Sequence, residues 1–265
     1  MKNVAFIIPI HPPHYHFIYP LIDKIYQTSF IIDIYLVFSN EQDYNLFIYK
    51  DKIKHIIIPQ IDTNNIVTFK KFYALEKLKD DLQYDYFIVC DSEITIVPEN
   101  FTETNILNKI NKIYENKIVY AGEQPNNTDF MNIIKHSANL ICNESESEKI
   151  TKNNTMYYWW SDLPLYKREY LADFFSKIDY SNIVWYHFDH IIYLNYLILY
   201  HEFDIIDMTR LINHWSFELY NPIDHHVQSL KSNKYGFSFI TNKIYNNNKH
   251  FFINEGSFIL FHLDR

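Results

Sequence analysis

Between Tyr84 and Val97 the chain reads YDYFIVCDSEITIV: one apolar run, Tyr86 to Cys90, stops at Asp91-Ser92-Glu93, and a second, Ile94 to Val97, follows at once. A continuous apolar run of this length reads as a strand buried on both faces, as in a parallel sheet covered by helices. Similar runs precede it. Val4 to Ile10 breaks into His11-Pro12-Pro13-His14, Ile31 to Phe38 stops at Ser39-Asn40-Glu41, and the short Ile56 to Ile58 ends at Pro59. Between them the apolar period becomes helical. Phe17, Ile18, Leu21, Ile22 and Ile25 share a face in residues 15–28, and Thr68 to Leu82 predicts an amphipathic helix with Phe72, Leu75 and Leu78 inward and its lysines outward. Strand–helix alternation of this kind predicts a parallel sheet with right-handed crossovers. Ligands of such sheets sit beyond the carboxyl ends of the strands, where Pro9, Ile10, His11, Ser39, Asp91, Ser92 and Glu93 gather.

Further along, residues 100–116 read as helix and Lys117 to Ala121 as strand. A polar interval from Glu123 to Thr155 surrounds a short helix, Phe130 to Ile141, and marks an internal boundary within one domain. Pro164, after Asp162-Leu163, is a helix-start signal and predicts a helix running to about Lys177. Tyr186 to Tyr200 predicts a helix with Asp189 near its N-terminus, Phe203 to Met208 a short strand, and Ser257 to Phe261 a last apolar run.

Composition narrows the function more than the fold. A chain of 265 residues, 48% hydrophobic and 21% charged, is globular and can bury a full core. A net charge of −8 lacks the basic footprint of a nucleic-acid binder. Two cysteines, Cys90 and Cys142, without CxxC spacing give neither a disulfide framework nor a zinc site, so a reducing cytoplasm is the expected location. No signal peptide is visible, and the greasiest segment, Ile191 to Tyr200, is too short to span a bilayer. A peripheral membrane contact is left open. Only three glycines occur, Gly122, Gly236 and Gly256, too far apart for a dinucleotide fingerprint, a Walker loop or a nucleophile elbow. A phosphorylated ligand would have to be held by a metal, by basic side chains or by helix N-termini.

Two carboxylates at the tip of a buried strand cost several kcal/mol unless a positive charge compensates them. Asp91 and Glu93 are two apart, so in extended chain both fall on one face and offer oxygen ligands to one hard cation. The competing reading is that Asp91 and Ser92 only make the turn at a strand end.

A proline-containing first strand, strand–helix alternation and an apolar strand closing on D-S-E resemble the nucleotide-sugar half of GT-A fold glycosyltransferases. In that family a DxD motif binds a divalent metal and the donor's ribose and diphosphate; here Glu93 stands where the second Asp is usual. The resemblance continues in the second half, over roughly residues 3–215. Asp189 opens the helix in WYHFDHIIYLNYLIL, FDIIDM supplies the following strand, and His214 in INHW comes 25 residues after Asp189. The segment LYKREYLADF resembles the one that leads into that helix, whereas the glutamate usual beside the base is replaced by Phe188.

The resemblance implies a single α/β domain with a Rossmann-like, mostly parallel sheet flanked by helices. Residues 1–123 would form the nucleotide-sugar half and residues 124–265 the acceptor-binding and catalytic half. It implies a nucleotide-sugar donor, UDP-linked, a glycan acceptor, and Mn²⁺ or Mg²⁺ held by Asp91, Glu93 and His214. Asp189 is the first choice of general base for an inverting transfer and Asp162 the second. Without catalysis, Asp189 is an acid suited to a helix N-terminus and Asp162 a cap before Pro164. Pro9, Ile10, His11 and Ser39 would line the nucleotide, Asp91 and Ser92 its ribose and diphosphate. Lys70 and Lys71 would reach the donor, unless they belong to a solvated face.

Of the four tryptophans, the adjacent pair Trp159 and Trp160 would point to opposite faces of an extended segment. One is then core and the other a floor for the acceptor. Two rivals remain: a non-catalytic nucleotide- or carbohydrate-binding protein of the same fold, and a nucleotidyltransferase.

Overall fold

The computed structural model describes residues 3–123, 128–143, 146, 149–152, 155–159, 164–207 and 259–263. Its centre is a five-stranded sheet with the order β3-β2-β1-β4-β9, made of β1 (Val4–Pro9), β2 (Asp33–Phe38), β3 (Lys54–Ile57), β4 (Tyr86–Val89) and β9 (Leu165–Lys167). The first four strands are parallel and β9 is antiparallel to β4. All six residues of β1 and all four of β4 are buried, which is why their sequences carry no polar alternation. The fold is mixed α/β with a mostly parallel central sheet flanked by helices, as the apolar runs predict.

The chain steps outward from β1 to β2 and β3, then returns to lay β4 on the other side of β1. The strand order therefore reverses between β1 and β4: the connection after β1 leads to β2 on one side of it, and β4 lies on the other. A crevice opens at such a switch point, past the carboxyl ends of the strands.

Helix α1 (Tyr15–Tyr26) follows β1, and α2 (Glu41–Leu46) follows β2 behind an Asn40 cap whose side chain accepts from the Asp43 amide. Helix α3 (Ile66–Leu78) begins at Asn65, whose side chain accepts from the Thr68 amide. It packs on β1 and β2 with one side and on α6 (Arg168–Lys177) and α7 (Asp189–His201) with the other. Covered on both sides, α3 buries Thr68, Phe69, Lys70, Lys71 and Phe72 in succession. The expected outward lysine face is therefore corrected: Lys77 is exposed, but Lys70 and Lys71 are buried at 2% and 4% exposure.

One more expectation changes. Pro164 does not start a helix. Leu165 and Tyr166 are buried on the open edge of β4, the Val89 amide donates to the Pro164 carbonyl at 3.0 Å, and the helix begins only at Arg168. An unpaired strand edge in the core outweighs a local start signal. The apolar run after Asp91-Ser92-Glu93, to which the pattern assigned no sheet, lies outside the central one. It forms β5 (Ile94–Ile96), paired antiparallel with β11 (Leu260–His262).

Helix α4 (Glu103–Ile110), β6 (Ile118–Glu123), α5 (Thr128–Asn139) and β10 (Asp204–Asp207) fall where the pattern predicts. With β7 (Thr151–Lys152) and β8 (Thr155–Trp159), β6 and β10 form a second sheet. Among the described residues no helix is long and apolar enough to cross a membrane. Cys90 and Cys142 form no disulfide.

Candidate active site

The switch point between β1 and β4 holds a pocket of about 420 Å³. Pro9, Ile10, His11, Ser39, Lys70, Lys71, Asp91, Ser92, Glu93 and Asp189 all border it, so every described site residue expected from the sequence comes to one place. Asp162 and His214 lie outside the described residues, as do the side chains of Trp159, Trp160 and Trp215. The pocket is completed by His14, Asn65, Ile66, Val67, Thr68, Trp185, Phe188 and His190, which the sequence reading assigned no role.

Lys71 is the centre of the site's electrostatics. Its Nζ lies 2.9 Å from Asp91 Oδ1 and 2.8 Å from Asp189 Oδ1. The Tyr166 hydroxyl donates to the other Asp189 oxygen, Oδ2, at 3.0 Å. Asp189 is 2% exposed, whereas the Asp91 side chain is 45% exposed toward the pocket. Burial alone would push the Asp189 carboxyl up. The Lys71 ammonium, the neighbouring His190 and their hydrogen bonds overcome it and hold Asp189 well below the usual carboxylate range. Burial likewise pulls Lys71 down, and the two carboxylates more than offset it, so the ammonium stays charged. Tyr166, buried beside Asp189, is pushed well above the ordinary tyrosine range and remains a donor.

Lys70 contrasts with its neighbour. Its Nζ donates to the Ile10 carbonyl at 2.5 Å, and among the described residues no carboxylate pairs with it. Burial pushes its pKa down to about 8. A buried ammonium with no ion pair among those residues, acted on by Asp43 only at longer range, is a charge on the wall of a pocket suited to an anionic ligand.

The opposite wall is built from the β1 exit and the D-S-E turn. Pro12 and Pro13 open a short 3₁₀ turn that ends at His14. His14 Nδ1 and Ser92 Oγ share a hydrogen bond of 2.7 Å, and His14 Nε2 lies 3.3 Å from Glu93 Oε1. His11 packs against His14 with ring centroids 3.9 Å apart. The His11 imidazole is held below its ordinary pKa by burial, with His14 and Lys70 adding to the effect. Residues 90–93 are not extended strand, and Asp91 and Glu93 each meet a different base, Lys71 and His14.

Among the described residues no cluster of three or more His, Cys, Asp or Glu side chains forms a cage for a metal. Asp91 and Glu93 do both border the pocket, and Mg²⁺ and similar hard ions are commonly bound through one or two carboxylates plus a substrate's phosphate oxygens.

No family model matches this chain, and no curated protein matches it. Solved structures give partial overlaps. S. aureus TarS 1-349 aligns at TM-score 0.42 and 13% identity, over 75% of this chain and 55% of that one. A Desulfovibrio desulfuricans protein named as a nucleotide-diphospho-sugar transferase aligns at TM-score 0.32 and 11% identity, over 46% of this chain and 59% of its own. The mannose-1-phosphate geranyltransferase of Thermus thermophilus aligns at TM-score 0.31 and 11% identity, over 47% of this chain and 42% of its own. This chain spans less than two thirds of the length of each. Overlaps of this size carry no weight for function, which rests on the chemistry of the site.

Proposed function

We propose that the protein is a GT-A type glycosyltransferase that moves a sugar from a nucleotide-sugar donor, UDP-linked, to a hydroxyl of a glycan acceptor. The observation that carries this reading is the pair of buried lysines on α3 at the switch point of a parallel sheet. One bridges Asp91 and Asp189, and the other has no carboxylate among the described residues.

Breaking the bond between an anomeric carbon and a diphosphate leaves negative charge on the departing oxygen. Fixed positive groups in a water-poor site stabilise that charge most, because they need no reorganisation as it develops. Lys70 and Lys71 are such groups. In this reading Pro9, Ile10, His11 and Ser39 seat the nucleotide, and Asp91 and Ser92 take the ribose and diphosphate. Glu93, with Asp91 and His214, would hold Mn²⁺ or Mg²⁺ against the diphosphate, where the ion supplies Lewis-acid stabilisation of the leaving group. Asp189 keeps Lys71 charged and aimed at Asp91. To act as the general base, it needs the acceptor hydroxyl to displace Lys71 or Tyr166 from one of its oxygens. Asp162 is the alternative base.

Incubation with UDP-glucose, UDP-galactose and UDP-N-acetylglucosamine in Mn²⁺ or Mg²⁺ tests the proposal. Free UDP is expected from at least one donor, falling by about 100-fold or more in Lys71→Met. Saturable binding without turnover would identify a binding module. Pyrophosphate release from a nucleoside triphosphate and a sugar phosphate would identify a nucleotidyltransferase.

A further inference from the structure

Trp185 is 63% exposed on the lip of the pocket, although the backbone that carries it is tightly held. The Ile183 carbonyl accepts from Thr63 Oγ1 at 2.8 Å and the Tyr186 carbonyl from Ser137 Oγ at 3.0 Å. The His187 carbonyl accepts from Asn65 Nδ2 at 2.8 Å and Thr68 Oγ1 at 3.0 Å, and the Phe188 amide donates to Ser137 Oγ at 2.9 Å. These anchors come from segments distant in sequence. They fix the loop in place without burying its largest side chain. An indole offers one of the largest apolar faces a side chain has, and leaving it in water gains the fold nothing.

The face borders the same pocket as Asp189 and His190, the first residues of α7. A pyranose ring has an apolar C–H face and a rim of hydroxyls. An indole suits the first, and the His190 imidazole, its side chain 27% exposed, suits the second. We propose that Trp185 is the platform on which the acceptor sugar rests, with its hydroxyl edge toward the start of α7. This rests on the transferase reading above and assigns the acceptor side of that pocket. The nucleotide is left to the β1 and β2 exits, where Pro9, Ile10, His11 and Ser39 border the other part of the lining.

Saturation-transfer NMR separates the two parts. The probes are UDP together with methyl β-D-glucopyranoside, methyl β-D-galactopyranoside and methyl N-acetyl-β-D-glucosaminide, applied to the wild type, Trp185→Ala and Trp185→Phe. Ring protons of at least one glycoside are expected to saturate on the wild type. The effect should weaken roughly 3- to 10-fold in Trp185→Ala and recover in Trp185→Phe, with the UDP signals equal in all three. Undiminished glycoside saturation in Trp185→Ala, or no glycoside saturation on the wild type, overturns the platform. So does a loss of UDP saturation in Trp185→Ala, which would make the indole a nucleobase seat. UDP left unsaturated by the wild type overturns the transferase reading itself.

Discussion

The two ends of the central sheet use the same residue types to different effect. At the amino ends of the strands, Lys54 pairs with Asp33 at 3.0 Å, and the Tyr84 hydroxyl donates to Asp33 at 2.6 Å. The Lys54 and Asp33 side chains are 41% and 36% exposed, one cation to one anion, with water at hand. At the carboxyl ends, Lys71 and Asp189 are almost completely buried, Asp91 opens onto a pocket, and Lys70 has no carboxylate among the described residues. A balanced, half-exposed pair holds strand ends together cheaply. A buried, unevenly paired set is costly to the fold, and its location beside a pocket at the switch point makes it the place to look for a charged ligand.

The largest expected effect breaks that comparison at Lys71. Replacing it with Met strands a buried Asp189 carboxylate and should cost about 3–5 kcal/mol of stability, measured by urea denaturation. Lys54→Met should cost no more than about 1 kcal/mol. Adding Asp189→Asn to Lys71→Met removes the stranded charge and should restore most of the loss. Equal effects of Lys54→Met and Lys71→Met would erase the distinction between the two ends.

A subtler test uses Lys70, whose folded pKa of about 8 lies below that of an unfolded lysine. Between pH 8 and the ordinary lysine value the unfolded chain holds more protons at this position. The ligand-free protein should therefore gain stability as pH rises through that window. Affinity for a diphosphate should move the other way. It is strongest below pH 8, where the ammonium is charged, and falls by up to about tenfold per pH unit above it. Opposite slopes for melting temperature and UDP affinity between pH 7.5 and 9.5 are the expected signature, and Lys70→Met should flatten both.

Much of the frame was legible because parallel strands bury both faces and announce themselves as unbroken apolar runs. Val4 to Ile10, Ile31 to Phe38 and Tyr86 to Cys90 needed nothing more. The direction of Lys70 and Lys71 was not legible, because what turns them inward lies far along the chain. Asp189 stands 118 residues beyond Lys71, and Ile10 stands 60 residues before Lys70. Helical spacing alone cannot tell a solvated lysine from one facing a distant acid. Pro164 misled for a related reason, since the edge of β4 that claims Leu165 to Lys167 is a tertiary partner. Trp185 and His14 carried no local signal that set them apart from ordinary loop residues. A histidine after a double proline and an aromatic in a loop become site residues only when β1, β4 and α7 converge.

The proposed transfer requires the crevice between β1 and β4 to bind a nucleotide diphosphate on the lysines of α3. Isothermal titration of UDP into the wild type and Lys70→Met at pH 7 tests it most directly. Saturable one-to-one binding that weakens at least tenfold in the variant is the predicted result. Wild-type binding unchanged by the substitution, or no binding of UDP by the wild type, would contradict it.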